Sequence, residues 1–297
     1  MSQAVQPVRA RALAGTVDSA WIWQAALLVM CVGWLYGAVL ARLAAQWWRD
    51  PNFSHGFLVP VFAGYVIWSQ RERLGELPVR PSWTGLPILI VAMCLLVVGV
   101  LGVELFLTRA SLLLAFAGLV IYFLGWQFLR AVLFPLAFLL LMIPLPAILF
   151  NQITFPLQLL ASKVASALLP LAGVPVLREG NVIMLPAMTL EVAEACSGIR
   201  SLMSLLTLAV VYGYVLETRT SWRVLLALAA LPIAVLANSL RIVGTGLLVQ
   251  YWDPDKAEGF FHTFSGWIIF VVSLVLLFLV HRSMRWLGGW RAGKAVG

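Results

Sequence analysis

Of the three cysteines in this chain, only Cys196 keeps polar company, in the run Glu194-Ala195-Cys196-Ser197-Gly198-Ile199-Arg200 that leads into a long apolar stretch. A thiol at a helix N-terminus sees the positive end of the helix dipole. With Arg200 one turn on, it ionises more readily than a free thiol of pKa about 8.5, and that makes a nucleophile. The alternative is a small residue at a tight helix–helix contact, which Ser197 and Gly198 would permit. Arg241, in Ala237-Asn238-Ser239-Leu240-Arg241-Ile242-Val243, ends another apolar stretch, with Asn238 one turn before it as a polar partner. An arginine there either snorkels to the interface or serves as a permanently charged donor to a developing oxyanion or a carboxylate. His262, in Phe260-Phe261-His262-Thr263-Phe264-Ser265-Gly266-Trp267, opens the last apolar stretch, as a satisfied interfacial imidazole or as a general acid/base.

Thiol, imidazole and guanidinium together are what cysteine acyl transfer needs: a nucleophile, a proton carrier for the leaving amine, and stabilisation of the tetrahedral intermediate. Rival chemistries lack their residues. His55, His262 and His281 have no ligand spacing between them, so no metal is expected. The chain carries no G-x-S-x-G and no phosphate-cradling loop, and no cofactor is implied.

The elements that must position these residues are membrane helices. The chain is 62% apolar and 11% charged, with a mean hydropathy of +0.98, whereas a soluble domain runs near 45–50% and about 25%. The expected fold is an all-α polytopic membrane protein. Eight spans are read at about 20–41, 57–68, 84–103, 109–125, 128–150, 197–216, 224–243 and 264–281. Residues 152–172, less apolar and containing Pro156, Gln158, Ser162 and Lys163, read as an interfacial or re-entrant helix. A short periplasmic hairpin around Glu179-Gly180-Asn181 would lead into the sixth span. One membrane domain, 20–285, is expected between cytoplasmic tails at 1–19 and 286–297.

Net charge is +8. With the N-terminus inside, the inner segments hold twelve of the 20 basic residues and four of the 12 acids, which places the whole excess inside and leaves the outside neutral. Membrane orientation thus explains the basicity, and no nucleic-acid partner is expected. The same crossing count puts Cys196, Arg241 and His262 at one face although they belong to three helices. Glu104 and Arg109, between the third and fourth spans, read as a structural or interfacial pair.

Four ordered blocks resemble the exosortases, membrane-embedded cysteine transpeptidase-like enzymes related to archaeosortases. They are Asp50-Pro51-Asn52-Phe53-Ser54-His55-Gly56-Phe57-Leu58-Val59-Pro60, Glu194 to Leu202, Asn238-Ser239-Leu240-Arg241-Ile242, and His262-Thr263-Phe264-Ser265-Gly266-Trp267. The resemblance implies Cys196 as nucleophile and Arg241 and His262 as the essential arginine and histidine. Beside them, His55, Glu194, Ser197, Arg200 and Asn238 are site-adjacent or substrate-binding candidates. It also implies a bacterial inner-membrane enzyme and its substrates: exported proteins ending in a Pro-Glu-Pro motif, a transmembrane helix and a basic cluster. Such proteins accompany exopolysaccharide production and are cut on the periplasmic face; membrane lipids are the other expected partner. A reading from a different class is a non-enzymatic polytopic component of polysaccharide assembly or export, with Cys196 incidental.

Overall fold

The structure is a computed structural model that describes the backbone of residues 19–192, 198–252 and 260–294, and the side chains of the same residues except 19–22, 25, 198–200, 260–265 and 287–294. The chain divides into two units, 1–42 and 43–297. Helix α1, Ser19–Arg49, begins in the first. There Trp23, Leu27, Val29, Met30 and Trp34 all face outward, an arrangement stable in lipid and not in water.

The second unit continues with α2 (Leu58–Ser69), α3 (Arg71–Gly75), α4 (Gly85–Leu101), α5 (Leu105–Phe123), α6 (Trp126–Phe138), α7 (Ala147–Leu168), α8 (Gly198–Leu216), α9 (Thr220–Tyr251) and α10 (Phe260–Lys294). Short 3-10 turns occupy Pro51–Phe57, Leu139–Met142 and Leu169–Ala172. Among the described residues, five helices are long and apolar enough to cross a membrane: Ala26–Arg49, Leu105–Phe123, Ala147–Ala172, Thr220–Tyr251 and Gly266–Trp286. Gly85–Leu101, Trp126–Met142 and Ser201–Leu216 are apolar but shorter.

Eight spans are thus not established among the described residues, and two expectations differ in particular. Segment 57–68 yields only the 12-residue α2, about 18 Å of helix against a hydrocarbon thickness of about 30 Å. Residues 152–172, expected as an interfacial or re-entrant segment, lie in one continuous helix of spanning length. Their polarity misleads because it is satisfied locally. The Ser162 hydroxyl lies 2.9 Å from the Leu159 carbonyl and 3.0 Å from that of Gly180, and Ser166 donates to the Lys163 carbonyl at 3.0 Å. Helix α7 runs alongside α9 in the same direction. Thr154 and Gln158 share a small cavity with Ala234 and Asn238, Leu169 packs on Gly246, and the Tyr251 hydroxyl donates to the Ala172 carbonyl at 2.9 Å.

Where a two-stranded turn is expected, a three-stranded antiparallel sheet forms from β1 (Leu177–Glu179), β2 (Val182–Met184) and β3 (Thr189–Glu191). Gly180 takes φ +63° in the β1–β2 turn, a conformation that costs a side-chain-bearing residue more. Ile183 faces Leu190 across the sheet, and both bury with Leu185, Val192, Ala161, Ala165 and Ile242, so the sheet caps the α7–α9 pair. A second core joins Leu202, Leu205 and Ala209 of α8 to Leu226, Ala230, Ile233 and Ala234 of α9 and to Leu277 and Met284 of α10.

The third core gathers Leu43, Trp47, Val59, Ala63, Leu113, Phe138, Met142 and Ile143. Trp47 Nε1 donates to the Met142 carbonyl at 3.0 Å, and a Cβ built on Gly56 would overlap the Trp47 indole. The ring cannot yield without breaking that bond. Gly56→Ala is therefore expected to destabilise by about 2–4 kcal/mol, from overpacking plus a strained buried hydrogen bond. Gly64→Ala, on α2 with open space around it, is expected to be neutral or slightly stabilising. Thermal melting of the two variants in the same detergent checks the contrast.

Candidate functional site

Arg241 lies twenty-one residues into α9 and is 9% exposed. Its guanidinium rests against the last helix: a Cβ on Gly266 would stand 3.7 Å from Nη2 and 3.8 Å from Cζ and Nη1. A methyl at 266 would thus meet the guanidinium at ordinary contact distance, which places the guanidinium beside this turn of α10. His262 precedes Gly266 by four residues in the same helix, so the two positions share one face of α10, one turn apart. The His262 side chain itself lies outside the described residues.

Helix α8 reaches the same level by its packing register. It runs antiparallel to α9: Leu202 shares a cavity with Ala234, Val235 and Asn238, while Gly213 packs on Arg223 and Leu226. Carried back one turn from Leu202, that register sets Gly198 level with Arg241. Three helices therefore converge here: the first turn of α8, the C-terminal part of α9 and the first turns of α10. Glu194, Cys196 and Ser197 lie outside the described residues; Arg200 belongs to the first turn of α8, its side chain likewise undescribed.

Asn238 is 7% exposed and lines a cavity of about 20 Å³ with Thr154, Leu157, Gln158, Leu202, Ala234 and Val235. That volume holds about one water molecule, and Thr154, Gln158 and Asn238 supply the polar groups such a water requires. Its neighbour Ser239 is fully buried and donates to the Val235 carbonyl at 2.8 Å.

His55 belongs to a different cluster. It is 6% exposed in the Pro51–Phe57 turn, with Nε2 at 3.3 Å from the Leu141 carbonyl. Burial lowers its pKa below 6.5, against the opposing pull of the Leu141 and Asn52 carbonyls. The unfolded state therefore binds the proton more readily. Stability contributed by neutral His55 is complete above about pH 6.5 and is lost as pH falls from there towards the lowered folded value. A melting-temperature profile that declines below pH 6.5, and flattens there in His55→Gln, is the expected outcome.

Glu104 and Arg109 attract each other electrostatically, as a structural pair would, and each also hydrogen-bonds to a further partner. The Glu104 carboxylate caps α5 by accepting from the Leu107 N–H at 2.7 Å, and Arg109 Nη2 donates to Gln46 Oε1 at 2.7 Å. The opposite end of α8, α9 and α10 carries a network that sequence reasoning missed. His281 Nδ1 lies 2.8 Å from the Tyr212 hydroxyl, its Nε2 lies 2.6 Å from Glu217 Oε1, and Arg285 Nε approaches the same carboxylate at 4.0 Å. No sequence signal joins these residues, because Tyr212 and Glu217 are more than sixty positions from His281. Among the described residues no group of three or more His, Cys, Asp or Glu side chains is arranged to hold a metal ion.

Chemically, the α8–α10 junction offers a buried cation beside the N-terminal ends of two helices. Among curated proteins and among solved structures, none matches the chain. The transmembrane exosortase family matches residues 47–279, a stretch that takes in Arg241, Gly266, the first turn of α8 and the turn carrying His55. Spanning more than three quarters of a strongly apolar, helical, multi-pass chain, that match shows that the protein belongs to the transmembrane exosortase family.

Proposed function

We propose that the protein is a membrane-embedded cysteine peptidase or transpeptidase. It acts on exported proteins at a C-terminal Pro-Glu-Pro-type signal on the periplasmic face of the inner membrane, with both chain termini cytoplasmic and the activity linked to exopolysaccharide production. The observation that carries the reading is the Arg241 guanidinium against Gly266, one turn from His262, level with a helix start that follows Cys196 by two residues.

In this mechanism the Cys196 thiolate attacks the scissile carbonyl and forms a C–S bond. The oxygen that takes up the electron pair gains negative charge, which Arg241 offsets. His262 gives its proton to the departing amine as the C–N bond breaks, leaving a thioester. It then removes a proton from water or from an acceptor amine, whose attack breaks the C–S bond, frees the acid or the new amide and returns the thiolate beside the protonated imidazole. Asn238 positions Arg241 from one turn below, and Glu194, Ser197, Arg200 and His55 line the approach.

The test is co-expression with a tagged substrate bearing a Pro-Glu-Pro motif, an apolar helix and a basic cluster, compared with cells lacking the enzyme. Enzyme-dependent loss of the tail on a mobility blot, with the new end at the motif by mass spectrometry, is the expected result. An intact tail at full enzyme level would sink the proposal. In that case, polysaccharide export that survives Cys196→Ala but fails in Arg241→Ala would indicate an assembly component.

A further inference from the structure

Three arginines from three separate helices meet at the end of the second unit far from Arg241. Arg73 of α3, Arg130 of α6 and Arg223 of α9 line one open cavity of about 610 Å³, together with Gln70, Thr220 and Tyr214. None of the lining residues is a carboxylate. Of the acids on neighbouring segments, Glu217 Oε1 lies 2.6 Å from His281, Glu72 lies 3.8 Å from Arg71, and Glu76, at the exposed end of α3, does not line the cavity.

The arrangement is built and not merely crowded. Arg223 Nε donates to the Glu217 carbonyl at 2.7 Å, its Nη2 to the Tyr214 carbonyl at 3.2 Å, and its guanidinium lies 4.6 Å from the Tyr214 ring centroid. Tyr214 is held in turn by Gln70 Nε2 at 2.7 Å and by stacking on Phe134 at 4.4 Å. Beneath the arginines the wall turns apolar, through Phe134, Val210, Val224 and Ala227. Membrane orientation requires arginines at one end, yet it does not require residues 73, 130 and 223 to share one acid-free cavity. Gathered like charges repel, and a shared anion turns that cost into binding.

We infer that this cavity binds the phosphodiester headgroup of an anionic phospholipid, with the guanidinium forks on the phosphate oxygens and the acyl chains along the apolar wall. An anionic lipid fits better than a soluble phosphate because the charged rim and the apolar wall belong to the same cavity.

Native mass spectrometry of the full chain from detergent, supplied with phosphatidylglycerol, phosphatidylcholine or inorganic phosphate, tests the assignment. Wild type is expected to retain phosphatidylglycerol over phosphatidylcholine. A charge-assisted hydrogen bond from a guanidinium to the bound phosphate is worth about a factor of ten, so Arg73→Gln/Arg130→Gln is expected to lose roughly tenfold or more in phosphatidylglycerol retention. Arg130→Lys, which keeps the charge, should fall by much less. The double variant Arg282→Gln/Arg285→Gln, which removes equal charge at the same end beside Glu217, should stay within about twofold. Equal losses in the two double variants would mean that only the overall charge matters and would overturn the site. So would unchanged retention in Arg73→Gln/Arg130→Gln. Phosphate that displaces the lipid at low concentration would overturn the lipid assignment in favour of a free anion.

Discussion

Cys196→Ala is expected to abolish tail removal, lowering turnover by at least about 10⁴-fold at matched enzyme levels while leaving the melting temperature close to wild type. A nucleophile deleted from a covalent mechanism takes with it the benefit of its acid/base partner, so what survives is only binding and charge stabilisation. Cys196→Ser should be nearly as inactive, because a hydroxyl of much higher pKa is not ionised by surroundings tuned for a thiol. The informative control is Cys31→Ser/Cys94→Ser. Both thiols are free and exposed on apolar helices, and both should be dispensable. Time courses of the tagged substrate give the rates, and thiol alkylation that inactivates the control variant but removes nothing further from the residual rate of Cys196→Ala links the chemistry to one sulfur.

Arg241→Ala is expected to cost about 10²–10³ in kcat, the range seen when a donor to a developing oxyanion is removed. Arg241→Lys tests whether charge alone suffices. Lysine keeps the cation but presents a point charge in place of a planar fork, so it should recover only part of the loss. The split between parameters decides the role. A fall in kcat with KM little changed is expected for oxyanion stabilisation, whereas a rise in KM alone would make Arg241 a ligand for the substrate's glutamate. Because Arg241 is buried, melting curves for each variant must accompany the kinetics.

Much of the fold is legible in hydropathy because lipid imposes one rule on every span. The apolar runs behind α1, α5, α9 and α10 stand out for that reason. Reading fails where polarity is dealt with inside the helix. Ser162 and Ser166 spend their hydroxyls on backbone carbonyls, and Glu104 spends its carboxylate on a helix cap, so neither behaves as an isolated polar group in lipid would. The site is legible only in part. Arg241 and His262 draw notice as ionisable groups beside apolar runs, whereas the meaning of Gly266 emerges only when two helices are seen to touch. The Tyr212–His281–Glu217 network and the convergence of Arg73, Arg130 and Arg223 are tertiary facts with no local signature.

Helix α9 has 32 residues and so measures about 48 Å, well beyond a hydrocarbon thickness of about 30 Å, and Arg241 sits about 32 Å from its Thr220 end. Measured from its Thr220 end, Arg241 therefore stands about one hydrocarbon thickness along the helix. Under the proposed mechanism, acyl-chain length is expected to tune the chemistry: bilayers of longer lipids would carry their boundary past Arg241 and strip water from it, and thinner ones would leave the residue in the headgroups. The split between hydrolysis and transfer proposed for this site should then shift with the host membrane.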